Sequence, residues 1–468
     1  MVFSSLEFLF LFLPVAFLIY FLIPANFLVW RNVALLVLSL IFYGWSEPLY
    51  IFIMIFSICV DYVCGYLVWE HQDTCPKKAK YALIASVVLN LGVLGFFKYF
   101  DFFVINLAKI PVFSGLKPLG ITLPVGISFY TFQTMSYTLD IYFKKAKVQK
   151  NIFSFGTYVT MFPQLIAGPI VRYREVDEAL RGREHNFESA ARGIERFVCG
   201  LAKKVLLANT AGLFYESFSK SVETTPSVLA AWSALVFYAF QIYFDFSGYS
   251  DMAIGLGRIL GFNFPENFNY PYISRSITEF WRRWHITLST WFKEYLYIPL
   301  GGNRKGKGRT FLNLFAVWFL TGFWHGASWN FILWGLYFCL LLIIEKAFLQ
   351  KLLEKIPKVF SHIYFIFFIL IGWFIFISCD IANPIEFLKV MFSAPLISQT
   401  AVYEIIRGGI FLIVLALAST PVFRKIYEKV SCKKGFNTAK LVLIISAFFI
   451  CIAYLVDSSY NPFLYFRF

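Results

Sequence analysis

Apolar runs of roughly twenty residues recur along nearly the whole chain, and this recurrence constrains the fold more than any other feature of the sequence. The first run, EFLFLFLPVAFLIYFLIP at 7–24, is long enough to cross a hydrocarbon core about 30 Å thick. No Lys or Arg precedes it and no small-residue cleavage site ends it, so we expect a retained helix. Of the 468 residues, 59% are hydrophobic and only 15% are charged, which excludes an ordinary soluble domain. The sequence therefore predicts an all-α polytopic membrane protein.

The formal net charge of +15 is concentrated in short polar connections between the apolar runs. Aromatic and basic residues are not interleaved on a polar surface there, so the positive-inside rule explains the charge better than nucleic-acid binding does. We therefore expect no nucleic-acid partner and place these connections on the cytoplasmic side. They are 71–80, 144–150, 172–204, 303–309, 346–358 and 424–440.

Placing those basic segments on one side predicts about 11–12 transmembrane helices, with both chain ends outside. Two further apolar stretches, 152–170 and 275–300, then begin and end on the basic side. We expect them to be re-entrant or interfacial, an arrangement that needs cover from protein or a water-filled cavity. The amphipathic stretch 172–204 is expected to form a helix on the cytoplasmic membrane surface, the alternative being a solvated connector. The predicted spans are 6–24, 30–46, 48–70, 81–105, 121–143, 197–216, 228–256, 310–327, 329–346, 358–378, 403–423 and 439–457.

Neither the 8 cysteines nor the 5 histidines form a metal-binding pattern in the sequence. The cysteines are scattered mostly through apolar runs with no CxxC pair, and the histidines include no HExxH motif or close pair. We therefore expect no metal and no disulfide framework.

A small group of ionisable residues falls within predicted membrane depth. Such residues are functional hypotheses when they cluster, and most of these lie between positions 245 and 325. Asp61 and Asp140 are isolated, so structural hydrogen bonding to a neighbouring helix is the expectation for them. The group comprises Asp61, Lys98, Asp140, Asp245, Asp251, Glu279, Arg282, Arg283, His285, Lys293, Glu294 and His325.

The segment 274–310 combines three tryptophans, two adjacent arginines and a histidine with a glycine-flanked basic loop. If the segment is helical, one face carries Trp281, Trp284, His285 and Leu288. The two arginines then point elsewhere, toward phosphates. An interfacial aromatic belt is the alternative for the tryptophans. The loop GGNRKGKGR at 301–309 has a composition that suits close approach to an anionic phosphate, although it matches no Walker pattern.

The stretch LTGFWHGASWNF at 320–331 places His325 between a tryptophan and a glycine in a sequence otherwise suited to a membrane. An imidazole in hydrocarbon must find partners or be desolvated at an energetic cost. His325 is therefore expected to be either a hydrogen-bonded structural residue or a chemically active one.

Five blocks of the sequence resemble the membrane-bound O-acyltransferase family, in particular its bacterial branch that O-acetylates alginate and peptidoglycan. The resemblance implies a ring of helices, thinned at its centre, around a tunnel from a cytoplasmic acyl-donor entrance to an extracytoplasmic acceptor entrance. The chain would then be one membrane domain over 1–468, with N-terminal helices in 1–150, re-entrant segments and the catalytic core in 151–350, and C-terminal helices in 351–468. The blocks are LPVGISFYTFQTMSYTLDIY (123–142), MFPQLIAGPIVRY (161–173), YFDFSGYSDMAIGLGRILGFNFPENFNYPY (243–272), SRSITEFWRRWHITLSTWFKEYLYIPLGGNRKG (274–306) and GFWHGASWNFILWG (322–335).

The resemblance also implies roles for individual residues. It maps the family's catalytic histidine onto His325 in WHG and a second catalytic histidine onto His285 in RRWH. The residues expected along the substrate tunnel are Trp281, Arg282, Arg283, Trp284, Trp324, Asn330, Asp245, Ser247, Tyr249 and Gln133. The residues expected at the acetyl-CoA entrance are Arg304, Lys305, Lys307 and Arg309.

Acyl transfer from a thioester to a hydroxyl needs a proton acceptor, donors for the developing oxyanion and exclusion of water. A neutral His325, expected to be buried among Phe323, Trp324 and Trp329, suits the first role, either as a base or as a covalent acyl relay. Asn330, Ser328 or His285 remain alternatives for orienting the imidazole or binding the oxyanion.

The expected protein is thus a multi-pass enzyme of the bacterial cytoplasmic (inner) membrane that takes acetyl from acetyl-CoA, with no metal. The expected acceptor is an extracytoplasmic polysaccharide or peptidoglycan, reached directly or through a periplasmic or surface partner with an SGNH or esterase fold. The alternatives are a transporter or flippase of a polar substrate, a D-alanyl transferase, and a scaffold that only anchors a secreted acetyltransferase.

Overall fold

The computed structural model describes residues 1–431, 435–457, 460–462 and 464 of the chain. All regular secondary structure in these ranges is helical. Cys432 and part of the basic segment 424–440 lie outside the described residues.

The chain divides into two compact units, and α9 and α10, defined below, each contribute residues to both. The first unit consists of Met1–Phe197 and Tyr249–Glu266, and the second of Val198–Gly248 and Asn267–Phe468. The interpretation of 1–468 as a single domain stays a prediction.

The first unit contains the helices between Phe8 and Arg181, the first part of α9 and the last part of α10. A short 3-10 turn at Pro111–Phe113 follows the longest of them. The helices are α1 (Phe8–Leu22), α2 (Leu28–Gly44), α3 (Ile51–His71), α4 (Pro76–Leu107), α5 (Ile127–Tyr142), α6 (Ile152–Thr160), α7 (Phe162–Leu165), α8 (Tyr173–Arg181) and α9 (Phe187–Thr224).

The second unit contains the segments that carry both candidate catalytic histidines. Its short elements include a 3-10 turn at Pro271–Ile273 and a π-helical turn at Lys293–Tyr297. From α10 onward the helices are α10 (Val228–Ile259), α11 (Ile277–Trp281), α12 (Ile286–Phe292), α13 (Gly306–His325), α14 (Trp329–Lys355), α15 (Lys358–Ile377), α16 (Pro384–Ser393), α17 (Gln399–Ala418), α18 (Val422–Val430) and α19 (Phe436–Asp457).

Within the described ranges, 8 helices are long and apolar enough to cross a membrane by length and composition. Two shorter apolar helices, α1 and α2, match the first two predicted spans. Helices α5 and α13 also match predicted spans, but α5 has only 16 residues and α13 begins with the polar run GKGRT. The all-α, multi-pass class is therefore confirmed, whereas these criteria identify fewer spans than the 11–12 predicted.

The two stretches predicted to be re-entrant or interfacial contain only short helices. Helices α6 and α7 have 9 and 4 residues and are separated at Met161, which has extended-type backbone angles. Helices α11 and α12 have 5 and 7 residues. At 1.5 Å per residue none of these can cross a core of about 30 Å, so their lengths fit the prediction.

The single surface helix predicted over 172–204 is interrupted between α8 and α9. Arg183 in the intervening loop donates hydrogen bonds to Tyr20 Oη at 2.8 Å and to Asn32 Oδ1 at 2.7 Å. The His185 ring lies 3.0 Å from the same tyrosine hydroxyl through Nε2. Continued helix would carry these side chains away from their partners, so hydrogen bonding to α1 and α2 overrides the amphipathic pattern. Burial and the neighbouring cations Arg31 and Arg183 lower the pKa of His185.

Two glycines allow α13 and α14 to approach each other closely. A Cβ added to Gly335 would lie 2.4 Å from the Trp318 carbonyl oxygen and 3.0 Å from Gly322 Cα. A Cβ added to Gly322 would lie 2.4 Å from the Phe331 carbonyl oxygen. Small residues at such a crossing let two backbones meet, as is common between membrane helices. Because His325 ends α13, this contact fixes the position of the histidine relative to α14.

We expect Gly335→Ala to lower the unfolding free energy by about 1–3 kcal/mol, because the new methyl group meets backbone atoms that cannot rotate away. The measurement is the thermal unfolding midpoint of the purified protein in detergent. Gly409→Ala in α17 is the matched control, since a Cβ there has no atom within 4 Å. The control should be neutral or more stable by about 0.5–1 kcal/mol. Equal shifts in the two variants would contradict the close helix contact.

Candidate active site

His325 lies at the end of α13 in an aromatic enclosure, with 5% of its surface exposed. Its ring centroid is 5.0 Å from that of Trp324, 4.8 Å from that of Trp334 and 5.5 Å from that of Phe376. The three interplanar angles lie between 73° and 83°, so each neighbour meets the imidazole edge to face. Rigid aromatic walls on several sides restrict how this ring can turn.

Two members of this enclosure, Trp334 and Phe376, were not predicted from the sequence. Trp324 contacts His325 as predicted. Trp329 is 58% exposed, and burial of His325 by Phe323 and Trp329 stays a prediction. Trp329 begins α14, and the enclosing tryptophan is Trp334, further along the same helix. Phe376 arrives from α15, which no local pattern around WHG could indicate.

His285 is fully buried and lies at a break between α11 and α12. Its φ of 44° is in the left-handed region, which non-glycine residues rarely adopt. The continuous helix considered for this segment was therefore wrong, and Trp281, Trp284 and His285 do not share one helical face. Such a conformation costs on the order of 1–3 kcal/mol and persists only where its surroundings enforce it.

The loop before the 3-10 turn at Pro271–Ile273 enforces this conformation through backbone hydrogen bonds. The Ile286 N–H donates to the Asn267 carbonyl at 3.0 Å. The Asn269 N–H donates to the Arg283 carbonyl at 2.9 Å. These bonds hold both sides of His285 and replace the helical bonds that the break removes.

The Asn267 side chain determines the tautomer of a neutral His285. The Thr287 backbone N–H donates to Asn267 Oδ1 at 3.3 Å, and the Thr287 hydroxyl donates to the same atom at 2.9 Å. An atom that receives a backbone N–H must be the amide oxygen, so His285 Nδ1, 3.1 Å away, is the donor. The lone pair of the neutral ring is consequently on Nε2.

Trp324 lies against both histidines. Its ring centroid is 6.3 Å from that of His285 and 5.0 Å from that of His325. On another side, the Phe246 ring is 4.7 Å from His285. The two histidines therefore share an indole wall in the same unit.

The two tryptophans of the WRRW run have different aromatic neighbours within one hydrophobic core. Trp281 packs 4.7 Å from Trp318 and 5.5 Å from Trp334, which connects it to the His325 enclosure. Trp284 instead packs 5.0 Å from Trp373 and 5.1 Å from Phe268. The indole N–H groups of Trp281 and Trp334 are buried and find no hydrogen-bond acceptor among the described residues.

The adjacent arginines and Asn330 also differ in their surroundings. Arg282 is exposed. Arg283 donates to Glu279 Oε1 at 3.0 Å and to the Asn269 carbonyl at 3.1 Å, so protein acceptors occupy its guanidinium. Asn330 is buried and donates to the Phe376 carbonyl at 2.8 Å, while its amide oxygen has no partner in the described part of the chain.

Asp245 lies in a buried ion pair with Lys204. The ammonium is 2.7 Å from the carboxylate, and both side chains are 2% exposed. The Leu464 N–H donates to Asp245 Oδ2 at 3.0 Å, and Lys204 donates to the Pro462 carbonyl. This ion pair joins α9 to α10 and to a downstream segment within the second unit.

The remaining predicted tunnel residues are buried. Ser247 belongs to the second unit, and its hydroxyl has no partner among the described residues. Tyr249 and Gln133 belong to the first unit, so no geometry relative to the histidines is assigned to them. Tyr249 stacks on Phe3 with ring centroids 4.4 Å apart.

The four cations predicted at the donor entrance lie on one exposed loop and helix start. Gly301, Gly302 and Gly306 have φ values of 108°, 55° and 85°, which explains why the loop needs glycine. Asn303 accepts a hydrogen bond from Lys346 at 2.7 Å, and this bond ties the loop to α14. The exposed cations are Arg304, Lys305, Lys307 and Arg309.

Sequence reasoning missed three residues that build the site: Asn267, Trp334 and Glu345. Glu345 is fully buried and accepts the N–H groups of Ile277 and Thr278 at 2.7 and 2.8 Å, which anchors the start of α11. In the sequence, the position of this single carboxylate at the end of the apolar run 329–344 could have indicated that Glu345 has a buried partner. Across the described residues no cluster of three or more His, Cys, Asp or Glu side chains could hold a metal ion.

Comparison with known proteins places both histidines within a matched region. The sequence matches the membrane-bound O-acyltransferase (MBOAT) family over residues 117–383. It is 41% identical to the probable alginate O-acetylase AlgI of Pseudomonas aeruginosa, over 84% of this chain and 75% of that protein. For the probable alginate O-acetylase AlgI of Pseudomonas putida the identity is 37% over 100% of both chains. For the peptidoglycan O-acetyltransferase of Helicobacter pylori it is 36%, over 84% of this chain and 80% of that protein.

We expect Asn267→Ala to destabilise the protein, because it removes the acceptor shared by His285 and Thr287. Each buried donor left without an acceptor costs about 1–3 kcal/mol. The measurement is the thermal unfolding midpoint in detergent, with Asn267→Asp as the control that keeps an oxygen acceptor. An Asn267→Ala protein as stable as the native chain would rule out this role.

Proposed function

The chain belongs to the membrane-bound O-acyltransferase family, and we propose that it moves acetyl from cytoplasmic acetyl-CoA to hydroxyl groups of an extracytoplasmic polysaccharide or peptidoglycan. It is a multi-pass membrane enzyme of the O-acyltransferase class. The observation that carries the acetyl-transfer proposal is His325, buried in an aromatic enclosure inside the matched region. A relative that matches over the full length of both chains and is named as a probable alginate O-acetylase supports acetyl as the transferred group.

His325 supplies the proton transfer in this proposal. Its unprotonated ring nitrogen accepts the proton of the attacking hydroxyl while the oxygen bonds to the acetyl carbonyl carbon. The carbon–sulfur bond then breaks, and the same proton passes to the departing thiolate of CoA. The alternative is a relay in which the imidazole attacks the acetyl carbon and CoA leaves as the thiolate, giving an acetyl-histidine. The hydroxyl then attacks that acetyl carbon, the nitrogen–carbon bond breaks, and the hydroxyl proton passes to the released imidazole.

Tryptophan N–H groups are the proposed oxyanion donors. Trp334 contacts His325, Trp281 contacts Trp334, and both indole N–H groups are buried without an acceptor in the described part of the chain. A donor kept without a partner in the free enzyme can stabilise charge that develops on the acetyl oxygen. The enclosure also excludes water, which would otherwise hydrolyse the thioester.

His285 is the proposed second catalytic group, with a role set by its tautomer. Its Nδ1–H is committed to Asn267, so a neutral ring has only a lone pair to offer at Nε2. It can therefore accept a hydrogen bond from the incoming hydroxyl and orient it, but it cannot donate to the oxyanion. Trp324 contacts both imidazole rings.

The donor and acceptor are proposed to arrive from opposite sides of the bacterial cytoplasmic membrane. The exposed cations at 304–309 suit the phosphates of CoA on the cytoplasmic side. The acceptor hydroxyl belongs to the glycan itself or to a periplasmic or surface partner with an SGNH or esterase fold that passes the acetyl group on.

We expect His325→Gln to lower acetyl transfer or acetyl-CoA hydrolysis by roughly 10²–10⁴-fold, because the variant loses the proton acceptor. The assay follows labelled acetyl-CoA with purified protein in detergent. His71→Gln, at the end of α3, is the matched control, and unfolding midpoints verify that both variants fold. Equal turnover in native and His325→Gln protein would reject the proposal.

Intact-protein mass spectrometry with acetyl-CoA and no acceptor tests the relay, which predicts an added acetyl group.

We expect replacement of Arg304, Lys305, Lys307 and Arg309 by Gln to raise KM for acetyl-CoA by at least about tenfold, or ~1.4 kcal/mol, with a smaller change in kcat. The physical reason is the loss of cations facing the donor phosphates. The control replaces four exposed lysines of other predicted cytoplasmic segments, Lys77, Lys78, Lys80 and Lys147, by Gln. An unchanged KM for acetyl-CoA in the first variant would contradict the assignment of these four cations to the donor entrance.

A further inference from the structure

A groove of about 620 Å³ opens on the second unit between α10, α15 and α17. None of the predicted site residues lines it. The volume falls within the range of about 300–1,000 Å³ that is usual for small-molecule sites. The groove therefore has room for a ligand that the proposed acetyl transfer does not use.

The walls of the groove are mostly hydrocarbon. Its lining includes Phe240 and Ala239 of α10, Ile363 and Ile366 of α15, and Ala416 of α17. Ile363 is 58% exposed, and Ala416 is exposed as well. Side chains of this kind on spanning helices face lipid tails, so an acyl chain is the natural occupant of the apolar part.

One end of the groove is cationic. Arg275 and Lys358 both line it and are exposed, and among the described residues neither side chain has an ion-pair or hydrogen-bond partner. No Asp or Glu is among the described lining residues. Lys358 is also the first residue of α15, where backbone N–H groups favour an anion. Two free cations beside an apolar groove complement a ligand with an anionic head and a hydrocarbon tail.

We propose that this groove binds one anionic phospholipid, with its phosphate at Arg275 and Lys358 and an acyl chain against α10 and α15. The predicted topology agrees, because both cations lie where chain segments meet the basic, cytoplasmic side. Arg and Lys at that level attract acidic lipid head groups by about 1 kcal/mol per charge.

The bound lipid would also brace the segment that leads to His285. Tyr272 lines the groove, and its ring centroid is 6.2 Å from that of Trp284, the residue before His285. His362, another lining residue, donates through Nδ1 to the Ser274 carbonyl at 2.9 Å. A lipid in the groove would pack against Tyr272 and His362, the two residues that make these contacts. The proposal concerns binding and stability and holds whatever acyl group the enzyme transfers.

The test titrates purified protein in neutral detergent with phosphatidylglycerol or phosphatidylcholine, and reads bound lipid by native mass spectrometry and stability by Tm. We expect one tightly held phosphatidylglycerol and a higher Tm with that lipid. Arg275→Gln combined with Lys358→Gln should weaken its binding at least about tenfold. Ala416→Trp, at an exposed position in the lining, should do the same by filling the apolar part.

The control exchanges two exposed lysines outside the groove, Lys351 and Lys425, for Gln and should bind phosphatidylglycerol like the native chain. Three results would each overturn the proposal. They are equal affinity for the two lipids, unchanged binding in the Arg275→Gln, Lys358→Gln protein, and full stabilisation by inorganic phosphate alone, which would indicate an anion site without a lipid.

Discussion

Hydrocarbon offers no hydrogen bonds, so a backbone that leaves the helical conformation at membrane depth must find its partners within the protein. The segment from 275 to 300, which is predicted to be re-entrant or interfacial, meets this constraint with side chains and loops. Glu345 accepts the first N–H groups of α11, and Asn267 and Asn269 bond to both sides of His285. These hydrogen bonds offset the free-energy cost of the left-handed conformation of His285. The position of His285 in the candidate site thus follows from the hydrogen bonds that the backbone of this interrupted helical segment makes.

Aromatic packing complements that hydrogen bonding. Around His325 the walls come from α13, α14 and α15, and Trp324 extends them to His285. Aromatic side chains fill a large volume while having few rotatable bonds, so the imidazoles are held in place by shape. The buried polar atoms without a hydrogen-bond partner among the described residues include the indole N–H groups of Trp281 and Trp334 and the amide oxygen of Asn330.

The sequence predicted the helical membrane class, the position of most helices and the two stretches of broken helix, because each depends on local hydrophobicity and charge. It failed where distant residues decide. A local pattern around WHG cannot show that Phe376 and Trp334 enclose His325 while Trp329 remains exposed. Likewise, helical spacing in WRRWH gave no sign of the break at His285, which Asn267 imposes from outside the segment. The roles of both histidines stay predictions.

The ion pair of Lys204 and Asp245 carries an implication for biogenesis. The Leu464 N–H that completes the hydrogen bonding of Asp245 comes from a position 219 residues downstream. During synthesis, α9 and α10 therefore reach the bilayer before this downstream segment is made. Lys204 and Asp245 can neutralise each other at that stage, but water or the insertion machinery must supply their other hydrogen-bond partners. The hydrogen bonding of this ion pair is therefore completed late, once the segment that contains Leu464 has been synthesised.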